Sequence, residues 1–355
     1  MIRKDGSSEL QAIHDQINVL RLAEGFFQSK VLFALLRLRV LEHIGDGDKP
    51  LQELALELKV RPDTLDRLLH AGVVFKLLET QDGSTYRASA MSRSVLLPSA
   101  GDAYLGDWLR NLEYFDFALS KMDQAVLTSA PTVDPSFHLG ADSAQTEEFI
   151  LAMHNYGALR GKELAHYLDT AGAGSLLDLG CGSGVYAFHL GMANTRLELF
   201  LLDLSSVLEV AKKVQARYPL QNDVHYLPAN AVVDEIPGSY DVILISNTLH
   251  MLGHEASRVL LKRLYKSVKP GGSIVIQAQF LRDDRLGDRW PVLLDLIQMC
   301  ITSEGANHSV AETRQWLEEA GFRDIEYRRM SLFNTNSFLR GHKPGPGVVP
   351  SISMN

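Results

Sequence analysis

Apolar residues follow two different patterns along the chain, helical in its first part and strand-like in its second. From Phe26 to Ile44 they are too closely spaced for a thin amphipathic stripe, so the pattern predicts one helix that is buried on most of its faces. Such a helix suits a packing element or a dimer interface. The helical pattern continues to about Leu168.

The segment between residues 49 and 88 predicts two helices followed by a hairpin. Pro50 and Pro62 each suit a first helical turn, and an Asp82-Gly83 turn separates two short strand-like runs. This order is that of a winged helix, which either reads DNA or serves as a structural or dimerisation module. The start of the second helix balances basic side chains with acidic ones: Arg61, Asp63, Asp66 and Arg67. That balance is poorly suited to phosphate contacts, so we expect the structural role.

From Ser175 onward, apolar runs of strand length alternate with helical segments. This alternation predicts an α/β domain of Rossmann-like architecture with a mostly parallel sheet. The predicted strands cover residues 175–179, 197–202, 223–228, 242–246, 273–279 and 325–330. We therefore expect four parts: a mainly helical winged-helix dimerisation domain (1–100), a helical linker with the substrate pocket (101–168), the α/β domain (169–342) and a flexible tail (343–355).

Composition and charge narrow the class of protein. A chain of 355 residues with 46% hydrophobic content can bury a large core and suits two domains. Its 35 basic and 43 acidic residues give a net charge of −8, which disfavours nucleic acid and anionic membranes as partners. Cys181 and Cys300 form no disulfide or zinc pattern, and the segment from Met1 to Gln11 is too polar for a secretory signal. Since no apolar run reaches about 18 residues, we expect a cytoplasmic protein.

The strongest chemical signal is an apolar strand followed by a glycine turn and then a helix. Gly180, Gly182 and Gly184 let the backbone approach a nucleotide closely. Asp178 precedes the turn, and Asp203 ends the next strand, where a carboxylate accepts both hydroxyls of a ribose. A dinucleotide site needs G-x-G-x-x-G, and an acid beside it would repel the pyrophosphate. The acid instead favours a cationic cofactor, S-adenosylmethionine (SAM).

Three further segments carry a resemblance to a known family. They are Phe149-x-x-x-Met153, the stretch from Asp241 to His250, and the Lys269-Pro270-Gly271-Gly272 turn. With the glycine turn, they make the second part of the chain resemble a class I SAM-dependent methyltransferase. Roughly residues 15 to 342 resemble the plant and bacterial small-molecule O-methyltransferases that have an N-terminal dimerisation domain. The resemblance implies a homodimer of secondary metabolism that methylates a small aromatic or polyketide-like molecule.

The resemblance also implies which residues form the site. The three glycines shape the cofactor loop, Asp178 lies near the methionine amine and Asp203 binds the ribose. Asn230 stands where the family has an acid for the adenine contact. The expected cofactor site further includes Leu204, Ala231 and Ser246. The expected substrate residues are Trp108, Met153, Asn247, Met299 and His308.

His250 matches the general base of the family, which deprotonates a phenolic hydroxyl as the methyl group arrives. Since phenol has a pKa of about 10, little phenolate exists at neutral pH, and a histidine base contributes about 10² to 10⁴ in rate. The family continues His-Asp-Trp, whereas this chain continues with Met251 and Leu252. Two supporting acids are also replaced, by Ala278 and Asn307. His250 is therefore either a weakened base or a wall of the substrate pocket.

Transfer of the methyl group to a hydroxyl is the first expectation, and several alternatives stay open. Without a strong base, the acceptor is a carbon or nitrogen nucleophile, or a group that ionises unaided. The chain is otherwise a SAM-binding protein that has lost or changed methyl transfer, or a DNA-binding regulator. His254 and His308 raise the question of a metal, but the place for a carboxylate ligand holds Met251, so we expect none. We expect His308 instead to precede a helix capped by Ser309 and Glu312.

Overall fold

The computed structural model describes residues 5–136, 143–330 and 335–346 and divides the chain into two compact units, Met1–Glu113 and Tyr114–Asn355. The four-part division expected from the sequence stays a prediction. The first unit is mainly helical. Its elements are α1 (Asp5–Ala23), α2 (Gly25–Arg37), α3 (Val40–Ile44), β1 (Lys49–Pro50), α4 (Leu51–Leu58), α5 (Pro62–Val74), β2 (Leu78–Thr80), β3 (Thr85–Ala88), α6 (Ala90–Val95), a 3₁₀ segment (Pro98–Ala103) and α7 (Gly106–Leu119), which continues into the second unit.

The prediction of one continuous helix from Phe26 to Ile44 was wrong. Helix α2 ends at Arg37, and Arg39 takes a left-handed backbone conformation, φ +54°, before α3 begins. Phe26 and Phe27 are 53% and 55% exposed, so the start of α2 is not buried on most of its faces. The apolar density therefore came from two short helices that bury their faces separately.

Helix α1 lies in the part of the chain predicted to be helical, although its bounds were not predicted, and it leaves many of its apolar side chains in solvent. Its exposed large apolar residues are Leu10, Ile13, Ile17, Val19, Leu20 and Leu22. Together with Phe26 and Phe27 of α2, they form what we call the apolar N-terminal surface. Exposed apolar surface of this kind commonly marks an interaction site.

The predicted order of a winged helix is confirmed in the first unit. Strands β1, β3 and β2 form a three-stranded antiparallel sheet in contact with α4 and α5. Asp82 accepts the backbone amides of Ser84 and Thr85, both at 2.8 Å, and fixes the hairpin turn. Tyr86 is fully buried, and its hydroxyl donates to Asp66 on α5 at 2.7 Å. Asp66 thus joins the hairpin to the second helix of the motif.

The second unit is an α/β domain with helices on both faces of one sheet. Its helices are α8 (Met122–Thr128), α9 (Ser143–Tyr167), α10 (Val185–Ala193), α11 (Ser205–Gln215), α12 (His254–Ser267), α13 (Arg289–Ile301) and α14 (Val310–Ala320). Its strands are β4 (Ser175–Leu179), β5 (Glu198–Asp203), β6 (Val224–Pro228), β7 (Tyr240–Ser246), β8 (Val268–Ala278), β9 (Arg323–Arg329) and β10 (Ser337–His342). The sheet order is β6-β5-β4-β7-β8-β10-β9, with β10 antiparallel to both neighbours. The expected Rossmann-like fold with a mostly parallel sheet is confirmed.

Six strands match predicted ones, and β10 was missed. Its segment has only two large apolar residues, Phe338 and Leu339, between polar ones. Both are buried, because β10 lies between β8 and β9. Lys343, expected in a flexible tail, exchanges backbone hydrogen bonds with Gly271 and Gly272. Residues 347–355 of that predicted tail lie outside the described residues.

Alternate side chains of the sheet belong to two separate apolar cores. Leu176, Leu201 and Leu244 pack with α9, α10 and α11, whereas Leu177 and Ile243 pack with α12 and α14. Burial of both faces is typical of a parallel sheet.

Five strands of the sheet, β4 to β8, run parallel, so their carboxyl ends share one edge of the sheet. This edge lies after Leu179, Asp203, Pro228, Ser246 and Ala278. Within the described ranges, no helix is long and apolar enough to cross a membrane.

Candidate functional site

The glycine turn joins β4 to α10 at the carboxyl edge of the sheet. Gly180, Gly182 and Gly184 have positive φ angles of 67°, 54° and 77°. A Cβ atom at position 180 would lie 2.7 Å from a methyl carbon of Thr248, and one at position 184 would lie 2.6 Å from the Phe188 ring. These two glycines are therefore required both by backbone conformation and by close approach.

Asp178 lies in β4 directly before the turn, and its side chain is fully buried. Within the described ranges, neither carboxylate oxygen meets a hydrogen-bond donor in normal geometry. Burial, with a further contribution from the carboxylate of Asp203, raises the pKa of Asp178 to about 7 against a weaker opposing effect of the Ala187 amide. A cation that reached this carboxylate would favour its ionised form.

Asp203 ends β5, and its side chain connects the glycine turn to the next helix. One carboxylate oxygen accepts the amide of Gly182 at 2.9 Å, and the other accepts the amide of Leu204 at 2.8 Å. Burial raises the pKa of Asp203, although both amides act in the opposite direction. The structure thus brings the two carboxylates and the glycine turn together.

Asn230 and Ala231 follow β6 at the same edge of the sheet. The side-chain oxygen of Asn230 accepts the amide of Val232 at 3.0 Å, and the backbone amide of Asn230 donates to Asp234 at 2.7 Å. Arg263 on α12 donates to the carbonyl of Ala231 at 3.2 Å. The segment is held by these local hydrogen bonds, and the Asn230 oxygen keeps a second lone pair for a ligand.

The loop after β7 carries Ser246, Asn247 and His250. The hydroxyl of Ser246 is buried and has no hydrogen-bond partner in the described part of the chain. Asn247 has a left-handed backbone, φ +50°, and its side-chain amide donates to the hydroxyl of Tyr186 at 3.0 Å and to Gln277 at 2.8 Å. Asn247 therefore ties this loop to β8 and to α10, the helix that begins at the glycine turn.

His250 lies half-buried in the 3₁₀ turn Leu249–Met251. Ala278, at one position where a supporting acid is expected, is buried and has no polar side-chain group. Asn307, at the other, is 1% exposed, and its side-chain amide donates to two backbone carbonyls at 2.9 and 3.0 Å. Its side-chain oxygen accepts the next backbone amide at 3.2 Å. Asn307 thus holds the local fold, and neither position supplies an acid to His250.

The residues expected to contact the substrate lie on different elements. Met153 is half-buried on α9, and Met299 is half-buried on α13, a helix that contacts the 3₁₀ turn of His250. His308 is buried before α14, with its Nε2 atom 3.2 Å from a carbonyl oxygen of the same turn. Trp108 is half-buried on α7 within the first unit. The structure therefore brings α13 and His308 to the turn of His250.

His254, His308 and Glu312 present donor atoms within 4.8 Å of one another. The expected capping box is confirmed, since one Glu312 oxygen accepts the amide of Ser309 at 2.8 Å. The other Glu312 oxygen accepts Arg285 at 2.5 Å, so both oxygens are engaged within the protein. Burial lowers the pKa of His308 to about 4, which keeps this ring neutral at physiological pH. The expectation of no metal stays a prediction.

Sequence reasoning missed a set of polar side chains around these loops. Tyr186, Gln277 and Gln279 take part in their hydrogen bonds, as does Tyr156 on α9, whose ring contacts the guanidinium group of Arg160. A signal was present, because two glutamines stand in a predicted strand whose other residues are mostly apolar. Buried polar groups need partners, so such residues at a strand end indicate a built hydrogen-bond network.

Comparison with known proteins establishes the family. A family model described as O-methyltransferase domain matches residues 121–323, and one described as O-methyltransferase dimerisation domain matches residues 20–98. The first match covers more than half of the chain. The protein belongs to the O-methyltransferase family and carries that family's dimerisation domain, as the resemblance implied.

Curated relatives align with nearly the whole chain. The 3-hydroxy-5-methyl-1-naphthoate 3-O-methyltransferase of Streptomyces sahachiroi is 26% identical over 91% of this chain and 94% of its own. The tetracenomycin polyketide synthesis 8-O-methyl transferase of Streptomyces glaucescens is 26% identical over 92% of this chain and 96% of its own. The N,N-dimethyltransferase OxyT of Streptomyces rimosus is 24% identical over 88% of this chain and 92% of its own. Human N-acetylserotonin methyltransferase, solved with SAM, shares the fold with a TM-score of 0.83 and 21% identity over 93% of this chain and 98% of that one.

The buried carboxyl of Asp178 predicts a pH-dependent contribution to stability. Its pKa rises from an ordinary 3.8 to about 7 on folding, so between these values the folded state binds more protons than the unfolded state. This contribution to the free energy of unfolding therefore falls as the pH rises. Asp178→Asn removes the titrating group. The free energy of unfolding of this variant should therefore fall less between pH 5 and pH 8 than that of the wild type, by at least about 1 kcal/mol. Urea unfolding without SAM measures both changes, and equal falls would contradict the raised pKa.

Proposed function

We propose that the protein is a SAM-dependent O-methyltransferase that acts on a hydroxyl group of a small aromatic or polyketide-like molecule. The observation that carries the use of SAM is Asp178, whose buried carboxylate stands beside a glycine turn and is only weakly compensated by the Ala187 amide in the described ranges. The ammonium and sulfonium groups of SAM are positive and suit this carboxylate. A pyrophosphate at the same place would be repelled.

The loops at the carboxyl edge of the sheet suit the remaining parts of SAM. Asp203 accepts two backbone amides, and a carboxylate has lone pairs for about four hydrogen bonds, so the ribose hydroxyls can still donate to it. We place the adenine against Leu204, which follows β5, and against Asn230 and Ala231, which follow β6. The buried hydroxyl of Ser246 offers a further hydrogen bond.

Bound SAM supplies a methyl group that its sulfonium has already activated. The protein aligns the acceptor and removes the proton of the acceptor hydroxyl. His250 is the proposed base, with its imidazole accepting that proton as the oxygen gains the methyl group and releasing it to solvent afterwards. Ala278 and Asn307 supply no acid to stabilise the imidazolium, so most of the acceleration comes from alignment of the acceptor with the methyl group. Such alignment can lower the activation barrier by about 7 to 11 kcal/mol.

The names of two relatives support an aromatic or polyketide acceptor. One relative methylates 3-hydroxy-5-methyl-1-naphthoate, and another belongs to tetracenomycin polyketide synthesis. In this chain, the thioethers of Met153 and Met299 suit contact with a flat ring. We assign Asn247 and His308 to the same substrate site, and the role of Trp108, which lies in the first unit, stays a prediction.

Methyl transfer to nitrogen is a second candidate. A relative of similar identity is named an N,N-dimethyltransferase. A neutral amine attacks through its own lone pair and needs no base beforehand. An amine acceptor therefore does not require the supporting acids that Ala278 and Asn307 replace. A SAM-binding protein without transfer activity, or a DNA-binding regulator, has no comparable observation in its favour.

We propose a cytoplasmic homodimer that binds neither nucleic acid nor a membrane. Both cysteines are free and buried, which suits a reducing compartment. The dimerisation domain and the apolar N-terminal surface support self-association through the first unit. The net charge of −8 disfavours polyanionic partners.

Light scattering should report twice the 39.4 kDa chain mass. Leu22→Glu places a charge in the apolar N-terminal surface, at a side chain that is 83% exposed, and should shift the protein towards monomer. The matched control is Leu127→Glu on α8, at a side chain that is 82% exposed, which should leave the dimer intact. A wild-type monomer at micromolar concentration would contradict the proposal.

Asp203→Ala tests the assignment of the cofactor site. Loss of the carboxylate should weaken SAM binding by about 1.5 to 3 kcal/mol, the range for a hydrogen bond to a charged group. Isothermal titration calorimetry measures the affinity, with Asp223→Ala, an exposed acid before β6, as the control. Unchanged affinity in Asp203→Ala, or no heat with the wild type, would refute the assignment.

His250→Ala distinguishes a base from a pocket wall. For a base, turnover should fall about 10²-fold, at the lower end of the usual range because no acid supports the ring, while SAM affinity stays unchanged. The lost rate should partly return as the pH rises, since hydroxide then deprotonates the acceptor. His254→Ala, at an exposed histidine, is the control. A loss below about threefold at every pH would favour a nitrogen or carbon acceptor.

A further inference from the structure

Arg160 lies on α9, one turn after Tyr156, and only part of its guanidinium group has a partner. The central carbon of the group lies 3.5 Å from the centre of the Tyr156 ring. Its Nη1 atom donates to the backbone carbonyl of Tyr156 at 2.5 Å. Its Nε atom is buried and meets no acceptor within the described ranges. The Nε edge of the guanidinium therefore remains for another ligand.

The Tyr156 ring connects Arg160 to the loops of the candidate acceptor site. The side-chain amide of Gln279, directly after β8, donates to the hydroxyl of Tyr156. The backbone carbonyl of Gln279 accepts the side chain of Asn307 at 2.9 Å. The positive charge of Arg160 also acts on the hydroxyl of Tyr186. Burial raises the pKa of this hydroxyl, and the charge of Arg160 lowers it by a smaller amount. Tyr186 in turn accepts the side chain of Asn247, in the loop that leads to His250.

No acid pairs with Arg160 among the residues that the structure describes. Glu163, the nearest acid along the chain, accepts the side-chain amide of Asn336 at 3.2 Å. The two positions where acids were expected near His250 hold the uncharged residues Ala278 and Asn307. A half-buried guanidinium without a counter-charge is unfavourable, and a bound anion would compensate it.

We propose that Arg160 binds a carboxylate group of the methyl acceptor, so that the substrate is an aromatic hydroxy acid. This inference rests on the proposed function, because it defines the class of acceptor for the same site. The Nε and Nη2 atoms form a planar fork that matches the two oxygens of a carboxylate. The Tyr156 ring fixes the plane of the fork. The bound acid group thus orients the aromatic ring and directs its hydroxyl to His250.

A matched pair of acceptors tests this proposal. The probes are 3-hydroxy-1-naphthoate and its methyl ester, which share the ring and the hydroxyl but differ in charge. In the wild type, kcat/KM for the acid should exceed that for the ester by about tenfold or more. Arg160→Gln should reduce this ratio by about 10- to 100-fold, mainly through KM for the acid. Arg160→Lys keeps the charge without the fork and should give an intermediate ratio.

Lys162→Gln, at an exposed position of the same helix, is the matched control and should leave the ratio unchanged. Equal losses for acid and ester in Arg160→Gln would assign Arg160 to the fold or to the carboxylate of SAM itself and overturn the proposal. A wild type that shows no preference for the acid would overturn it as well.

Binding measurements separate this proposal from the proposed function. Titration of the acid and the ester into enzyme saturated with S-adenosylhomocysteine, followed by intrinsic fluorescence, requires no methyl transfer. Preferential binding of the acid that disappears in Arg160→Gln supports the carboxylate site, even where no product forms and the proposed function fails. Failure of the wild type to bind the acid more tightly than the ester overturns the carboxylate site, whatever the result of the activity assay.

Discussion

Asp178 holds a carboxyl group inside the protein at the point where β4 turns sharply into α10. Removal of an ionised carboxylate from water is unfavourable unless a donor or a cation compensates it. Within the described ranges the Ala187 amide compensates it only weakly, and Asp203 adds a second negative charge nearby. The three glycines of the turn that follows take positive φ angles. The site is therefore built for a ligand that is positive where it meets the turn, as the donor end of SAM is.

The proposed cofactor side and the proposed acceptor side of this site have opposite charges. Asp178 and Asp203 suit a cationic methyl donor, whereas Arg160 suits an anionic acceptor. Thr248 donates to the carbonyl of Gly180 at 3.3 Å, and Asn247 bonds to the helix after the glycine turn, so the loop of His250 is fixed against the cofactor loop. Rigid placement of donor and acceptor can replace much of what a strong base would contribute.

The sequence sufficed for the features that depend on local pattern. The strand and glycine turn around Asp178, the hairpin at Asp82 and the capping box at Ser309 each follow from residues close together in the chain. Strand β10 was missed because its short apolar core is buried only by its two neighbours in the sheet. The break at Arg39 was missed because a left-handed residue other than glycine leaves no signal in hydrophobic spacing. Arg160 was missed because its significance depends on residues more than 100 positions away, such as Gln279.

Transfer of a labelled methyl group to oxygen tests most directly whether the glycine turn and its two carboxylates bind SAM for O-methylation. The purified protein is incubated with SAM labelled in its methyl group and a panel of hydroxynaphthoic acids, and the products are identified by mass spectrometry and NMR. We expect one molecule of S-adenosylhomocysteine for each labelled methyl ether formed. A labelled methyl group on carbon or nitrogen, or no consumption of SAM with any acceptor of the panel, would contradict this account.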